Sequence, residues 1–456
     1  MPPDPSSNPA SISASIPEPV RTICRVLHER GERGWVVGGC IRDLLRGAPV
    51  SDWDVATSAT PQEVRAFFRR VIPTGLQHGT VTVVLDGEGY EVTTLRGEGA
   101  YSDGRRPDEV FFVRDIREDL ARRDFTINAL AFDPIAEELT DPFGGSADMD
   151  RGLVRCVGDA RERFSEDGLR VLRAARFSAT LEFALEPETE AAIRPSLPTF
   201  RKVSKERIRE EWVKAMKARR PSIAFRVMQR TGILESVAPG LEELIGFEPA
   251  RGHDAFERAL LGIDAVSGSP VRRLAMLFLD VGGPLGTDDA SRDRAGADHT
   301  DAWFKEHRFS NDERKLAVDL VRHHRIDLDD ASTDADLRRW VRRVGEHRVA
   351  DLLPVRTAEL EARDDPARIA QLERTSERLH ALVRDGFPQS VRDLAVTGGD
   401  VLARVPKPPG RWLRAVLEAL LEEVTDDPTL NTKEKLLDRS MLDRALGSTG
   451  DSTELS

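Results

Sequence analysis

Two aspartates separated by one residue, Asp52 and Asp54 in Val50-Ser-Asp-Trp-Asp-Val-Ala-Thr57, follow closely on a Gly38-Gly39-x-x-Arg42-Asp43 segment. Residues two apart on an extended strand project to the same side, so both carboxylates can face one pocket while Trp53 and Val55 turn to the core. Hard divalent ions prefer oxygen ligands, and a pair of Mg²⁺ ions held this way can activate an attacking hydroxyl while steadying a triphosphate for in-line displacement. The paired glycines, Gly38 and Gly39, let the backbone approach that triphosphate, and the following helix offers free N–H groups at its N-terminus with Arg42 in its first turn. Each element alone has a plain explanation as a tight turn or a solvated acid. Together and in this order they point to metal-dependent nucleotidyl transfer.

A third acid, Glu91, begins Glu91-Val-Thr-Thr-Leu-Arg96 and shares a strand face with Thr93; it is either a further metal-site residue or an exposed strand charge. Arg122-Arg123-Asp124-Phe-Thr-Ile-Asn128 reads as the start of a helix carrying two guanidinium groups suited to phosphate oxygens. Asp124 and Asn128 then lie one turn apart, facing a ribose or simply capping the helix. In Asp167-Gly-Leu-Arg170-Val-Leu-Arg173-Ala-Ala-Arg176-Phe177 three arginines recur along one helical stripe, and Asp167 precedes Arg170 by one turn. A carboxylate and a guanidinium fixed together can accept from an exocyclic amino group and donate to the adjacent ring nitrogen, a pattern that cytosine and adenine share and uracil and guanine lack. An intrahelical ion pair accounts for Asp167 and Arg170 alone, but not for a whole arginine stripe beside a metal motif.

The elements that must position these residues follow from periodicity. A helix over 20–30, a buried strand at Trp35-Val-Val37, the glycine turn and its helix, the aspartate strand, a helix from Pro61 capped by Thr60, and strands at 81–85 and 90–95 make a small α/β head. After Asp150 the pattern is helical throughout, with helices expected at 161–180, 187–193, 205–217 and 221–231. The fold class is therefore α+β, with a nucleotidyltransferase-like head followed by an all-α neck, body and tail. With 456 residues and 39% hydrophobic content the chain exceeds one ordinary core. The expected layout is a disordered tail at 1–18, a head at 19–150, a neck at 151–220, a body at 221–380 and a tail at 381–456. No apolar run reaches membrane-spanning length, the first eighteen residues carry no Lys or Arg, and three cysteines without Cys-x-x-Cys spacing suit a reducing, cytoplasmic setting. The net charge of −12 speaks against a nucleic-acid partner, but residues 201–220 hold nine Lys or Arg against three Glu, so the middle of the chain is locally basic.

The segments GGCIRDLLRGAPVSDWDVAT, HGTVTVVLDGEGYEVTTLR, RRDFTINALAFDP and EDGLRVLRAARF, in order through the first 220 residues, resemble the class II CCA-adding tRNA nucleotidyltransferases. Bacterial poly(A) polymerases of the same superfamily share several of these elements. Gln77-His-Gly-Thr80, with Leu394-Ala-Val-Thr-Gly-Gly-Asp400 and Asp427-Pro-Thr-Leu-Asn431, is more similar to the tRNA enzymes. The resemblance implies Mg²⁺ on Asp52 and Asp54, triphosphate and sugar contacts from Gly39, Arg42 and Arg123, and base selection by Asp167 and Arg170. It places Arg173 and Arg176 in the same nucleotide pocket and makes Tyr101-Ser-Asp-Gly-Arg-Arg-Pro107 a mobile loop used in the switch from C to A. It implies tRNA, CTP and ATP as substrates, with no membrane or protein partner.

The resemblance also extends to a middle domain of the HD-phosphohydrolase type, from which this sequence departs. His253 stands at a first ligand position, but Leu260 takes the place of the second histidine and Leu279-Asp280 that of the His-Asp pair. Leucine offers a metal no donor, so the expectation is a structural, metal-free domain, with His299, His323 and His324 in surface or capping roles rather than regrouped as ligands, the alternative their number leaves open. Three alternatives stay open: a poly(A) polymerase or partial CC- or A-adding enzyme, a phosphohydrolase, and a catalytically idle tRNA-binding protein.

Overall fold

The computed structural model describes residues 9–50, 52–76, 79–98, 110–248 and 254–448. The expectations resting on Gln77 and His78, on the loop at 101–107 and on His253 lie outside them. The chain divides into two compact units, one running to Glu242 and taking in Glu306–Arg308, the other comprising the remainder.

The first unit is built on strands β1 (Gly34–Val37), β2 (Asp54–Thr57), β3 (Val71–Gly75), β4 (Thr80–Leu85), β5 (Glu88–Thr94), β6 (Arg96–Glu98), β7 (Val110–Phe112), β8 (Ala131–Asp133) and β9 (Glu138–Thr140). Seven of them form one mixed sheet in the order β3-β4-β5-β2-β1-β8-β9, and β6 pairs with β7 separately. Strand alternation sorts the side chains onto two faces. Val36, Val55, Val81, Val83, Val92 and Phe132 join one core with the helix Glu18–Glu29, while Trp35, Val37, Ala56 and Ala131 join another. Trp53 and Val55 therefore pack inward as their spacing requires, and Asp54 points the other way.

The head also reaches further back than expected. Residues 9–15 form a helix, and Ile12 and Ile16 are fully buried in the head core with Val20. Their burial across the break at Ile16 and Pro17 makes this part of the segment, read as a disordered tail, packed structure.

Two helical readings are corrected by the backbone. Arg122 closes the helix Ile116–Ala121 as its C-cap, and residues Thr126–Asn128 make only a 3₁₀ turn, so the two arginines end a helix rather than open one. The helix expected over 161–180 breaks into Ala160–Glu166 and Leu169–Leu181, with Asp167 extended between them. Gly168 is required at the break because a side chain there would strike the Phe200 backbone, 2.7 Å from where its Cβ would lie.

The second unit is helical. Among its helices Ala255–Ala265 carries Arg258, which is buried and binds Asp280 at 2.9 Å. Leu260 and Leu279 are core residues. His299 packs beside Phe278, and the buried His324 ring meets the Val321 carbonyl at 2.8 Å through Nδ1. In the terminal core Asn431 accepts from the Ala395 N–H and donates to the Asp393 carbonyl, joining two segments distant in sequence. No helix among the described residues is long and apolar enough to cross a membrane.

Candidate active site

The site begins where β2 and β5 run parallel, because their register sets Asp54 directly beside Glu91. Both acids project from the face that also carries Ala56 and Thr93. Asp52 lies two residues ahead of Asp54, before β2 begins. Burial raises the pKa of Asp54, the charge of Glu91 raises it further and Asp52 adds to this, with only Arg123 opposing. Among the described residues neither the Asp54 nor the Glu91 carboxylate has a hydrogen bond or ion pair. Nor are any three His, Cys, Asp or Glu side chains among them drawn together at ligand distance. Like-charged carboxylates stand apart until a cation offsets their repulsion. Hard oxygen donors on adjacent strands, sharing a face and with no ion pair on either among the described residues, fit a divalent ion.

Opposite them lies the glycine turn. Gly38 takes φ +79°, its N–H bonds the Leu130 carbonyl at 3.0 Å, and the Arg123 guanidinium lies 2.6 Å from where a Cβ would be. Only glycine meets both conditions. The turn delivers Gly39 and Arg42 into the helix Gly39–Leu45. Arg42 donates to Asp43 at 2.9 and 2.8 Å and to Asn128 Oδ1 at 2.7 Å. Asn128 in turn donates to Asp124 at 3.1 Å, and Asp124 accepts from Arg173 at 2.7 Å. Asp124 and Asn128 thus relay between the head and the helix Leu169–Leu181. Burial would push the Asp124 carboxyl up, but the Arg173 charge, helped by the bonds from Asn128 and Arg173, holds it at about 2.

Along Leu169–Leu181 each arginine of the stripe meets an acid. Arg170 binds Glu166 at 2.5 Å and donates to the Arg163 and Arg122 carbonyls. Arg176 binds Glu211 at 2.5 Å, and Arg173 lies 3.8 Å from the same acid. Glu211 is 2% exposed; burial alone would raise its pKa, but Arg176, Arg173 and Lys214 hold it below the usual range. The pairing of Asp167 with Arg170 that a continuous helix would allow does not form. Asp167 sits outside the helix and is gripped by Arg207 at 3.1 and 2.6 Å. Arg207, Glu166 and Glu211 escaped the sequence reading. The signal for the two acids was their place within, or just before, the most basic stretches of the chain, and for Arg207 the basic run itself.

A cavity of about 450 Å³ gathers most of these groups. Gly39, Arg42, Asp54, Arg123, Asp167, Arg170 and Arg173 line it, with Gly38, Arg122, Asp124, Asn128, Leu169, Phe177 and Arg207. Arg176 is not in this wall and lies against Phe177 behind it. Asp52 and Glu91 are not in it either; they flank Asp54 at the strand edge. The basic run splits in two: Arg207 turns inward to Asp167, whereas Arg201, Lys202, Lys217, Arg219 and Arg220 are exposed.

Comparison with known proteins matches three stretches of the chain to described families. Residues 34–155 match the family described as "Poly A polymerase head domain", 182–245 the "Probable RNA and SrmB-binding site of polymerase A", and 295–439 the tRNA nucleotidyltransferase domain 2. The CCA-adding enzyme of Geobacillus stearothermophilus is 35% identical over 91% of this chain and 94% of its own length. That of Lactobacillus johnsonii is 47% identical over 51% of this chain, and the match spans 56% of that protein, little more than half its length. The crystal structure of the Bacillus stearothermophilus CCA-adding enzyme in complex with CTP superposes with a TM-score of 0.73 and 30% identity, covering 96% of this chain and all of the other. The Thermotoga maritima CCA-adding enzyme complexed with tRNA_CCA, at 18% identity and a TM-score of 0.56, shares the fold.

Proposed function

The chain belongs to the CCA-adding enzyme family of nucleotidyltransferases, and from that premise we propose that it adds C, C and A to tRNA 3′ ends, using CTP and ATP. The observation that carries the reading is the parallel register of Asp54 and Glu91 at the edge of a cavity walled by arginines. Asp52 and Asp54, joined by Glu91, would hold Mg²⁺. When bound, a pair of such ions favours the deprotonated 3′-hydroxyl and offsets charge on the leaving pyrophosphate.

The chain's own residues do the rest by position and charge. Gly39 opens the backbone to the triphosphate, and Arg42 and Arg123 bring guanidinium groups to its oxygens. Asp167 accepts from the exocyclic amino group of cytosine or adenine while Arg170 donates to the neighbouring ring nitrogen. Arg207 and Glu166 hold these two groups in place before a base arrives. Arg173, tied to Asp124, completes the wall. The exposed basic residues of 201–220 take the acceptor-stem backbone by shape, without reading sequence. The three cysteines are free and buried, in keeping with a reducing cytoplasm.

Incubating the protein with Mg²⁺, labelled NTPs singly and mixed, and tRNAs lacking the CCA end, ending after one C, or ending after two tests the whole reading. Ordered addition that stops at CCA is expected. Repeated ATP addition to any 3′ end would establish instead a poly(A) polymerase, a reading kept in view by the head-family match, and arrest after CC or addition of A alone would mark a partial enzyme. Hydrolysis of phosphoesters by the second unit is disfavoured, because Asp280 is bound to Arg258 and Leu260 and Leu279 offer no donor.

A further inference from the structure

Phe177 ends the arginine stripe, is 5% exposed and lines the cavity. Three guanidinium groups lie against its ring. The Cζ of Arg176 is 3.8 Å from the ring centroid, that of Arg173 5.3 Å and that of Arg42 5.4 Å. Phe125 meets the ring edge-on at 5.6 Å and 78°, fixing its tilt. Arg42 comes from the glycine-turn helix and the other two from the helix Leu169–Leu181, so a single ring is shared by two distant segments.

Three cations this close repel one another, and each already has an acid on one edge: Asp43 for Arg42, Asp124 for Arg173 and Glu211 for Arg176. A carboxylate fixes one edge of a guanidinium but leaves its plane free to swing about that edge. The negative face of an aromatic ring attracts the flat face of the cation and removes this freedom. Edge and face together determine where the remaining N–H groups point. Pre-set donors spare an anionic ligand the cost of ordering them.

We propose that Phe177 is a positioning residue for the nucleoside triphosphate: its ring, backed by Arg176 from behind the wall, orients Arg42 and Arg173 so that their free N–H groups converge on the anionic ligand in the cavity. This rests on the nucleotidyl-transfer reading and extends it to a residue with no polar atom. An aliphatic side chain of similar size would keep the packing but lose the electrostatic face, whereas tyrosine would keep both.

The test uses the full chain with Mg²⁺ and a tRNA lacking its CCA end, comparing Phe177→Leu, Phe177→Met and Phe177→Tyr. KM and kcat are measured for CTP, ATP and tRNA, and CTP binding is measured by calorimetry without tRNA. Leucine and methionine should each weaken CTP and ATP about tenfold in both KM and Kd, change kcat less than about threefold, and leave the tRNA KM in place, while tyrosine stays within about twofold of the parent. Equal losses in tyrosine and leucine, or an effect on kcat with triphosphate affinity unmoved, overturn the proposal. So does unfolding of both aliphatic variants, seen by circular dichroism, with their CTP affinity regained on refolding conditions, since the ring would then be mere packing. A parent protein that binds CTP but transfers nothing defeats the functional reading alone, and calorimetry on the variants still decides the role of Phe177. A parent that binds neither CTP nor ATP defeats both.

Discussion

The carboxylate corner of the sheet and the arginine helix of the neck are opposite in sign and opposite in how the chain treats their charge. At the corner, Asp54 and Glu91 stand side by side without a counter-charge bound to either among the described residues, and the Asp54 pKa rises. Along the helix, Arg170, Arg173 and Arg176 each reach an acid, and the pKa values of Asp124 and Glu211 fall. The first arrangement costs the fold stability and leaves anions ready for a cation. The second returns stability while holding donors in fixed directions. An acid without a bound counter-charge stays available to a cation, and an arginine paired in advance keeps its remaining donors in fixed directions.

The sharpest way to break this contrast is to remove the corner. Asp52→Ala and Asp54→Ala are each expected to lower nucleotide incorporation at least about 10³-fold with tRNA binding nearly unchanged, and full activity in either would end the assignment. On the helix side the largest effect should be structural. Glu211→Ala strands the largely buried Arg176 guanidinium, while Arg173 keeps Asp124, and should cost about 3 kcal/mol in denaturant unfolding; a cost under about 1 kcal/mol would show that Arg176 does not need it. Arg170→Ala should reduce discrimination of CTP and ATP against UTP about thirtyfold, a change read as kcat/KM ratios, and unchanged selectivity would remove Arg170 from base reading.

The two regions should also answer pH in opposite directions. A carboxylate whose pKa falls on folding contributes stability that is complete above its unfolded value and is lost as pH drops through its folded value. For Asp124, held at about 2, the window lies between about pH 4 and pH 2 and is worth about 2 kcal/mol, so Asp124→Asn should flatten that part of the acid-unfolding profile. Asp54 has the reverse sign: its pKa rises on folding, so its contribution worsens as pH climbs through that raised value. The smallest effect follows from this. Asp54→Asn should raise the Tm at neutral pH by about 2 °C while transfer stays lost, and a lowered Tm would mean that Asp54 is satisfied after all.

Much of the corner was legible because it is local. Strand alternation puts Val55 in the core and turns Asp54 the other way, although Asp52 lies ahead of β2, and Gly38-Gly39 before a helix is the turn found. The neighbour relation of Glu91 was not legible, since it depends on which strand β5 chose and in what register. The helix side was read less well for the same reason. The arginine spacing showed a stripe, but a break at Asp167-Gly168, enforced by contact with Phe200, turned Asp167 away from Arg170 and toward Arg207. Residues 9–15 were misread because their composition suits a loose tail, and only the pocket waiting for Ile12 and Ile16 makes them a helix.

By itself the amino-acid order determined the residue types, their periodicity, and hence the α+β class and the groups on offer: carboxylate oxygens, guanidinium groups, and an acceptor and a donor three residues apart at Asp167 and Arg170. Tertiary structure decided which of these groups meet. Backbone geometry constrains neighbours a few residues apart, whereas the contacts of Asp54 with Glu91, Asp124 with Arg173, Asp167 with Arg207 and Phe177 with Arg42 depend on strand register and helix packing, which are set by burial across the whole unit.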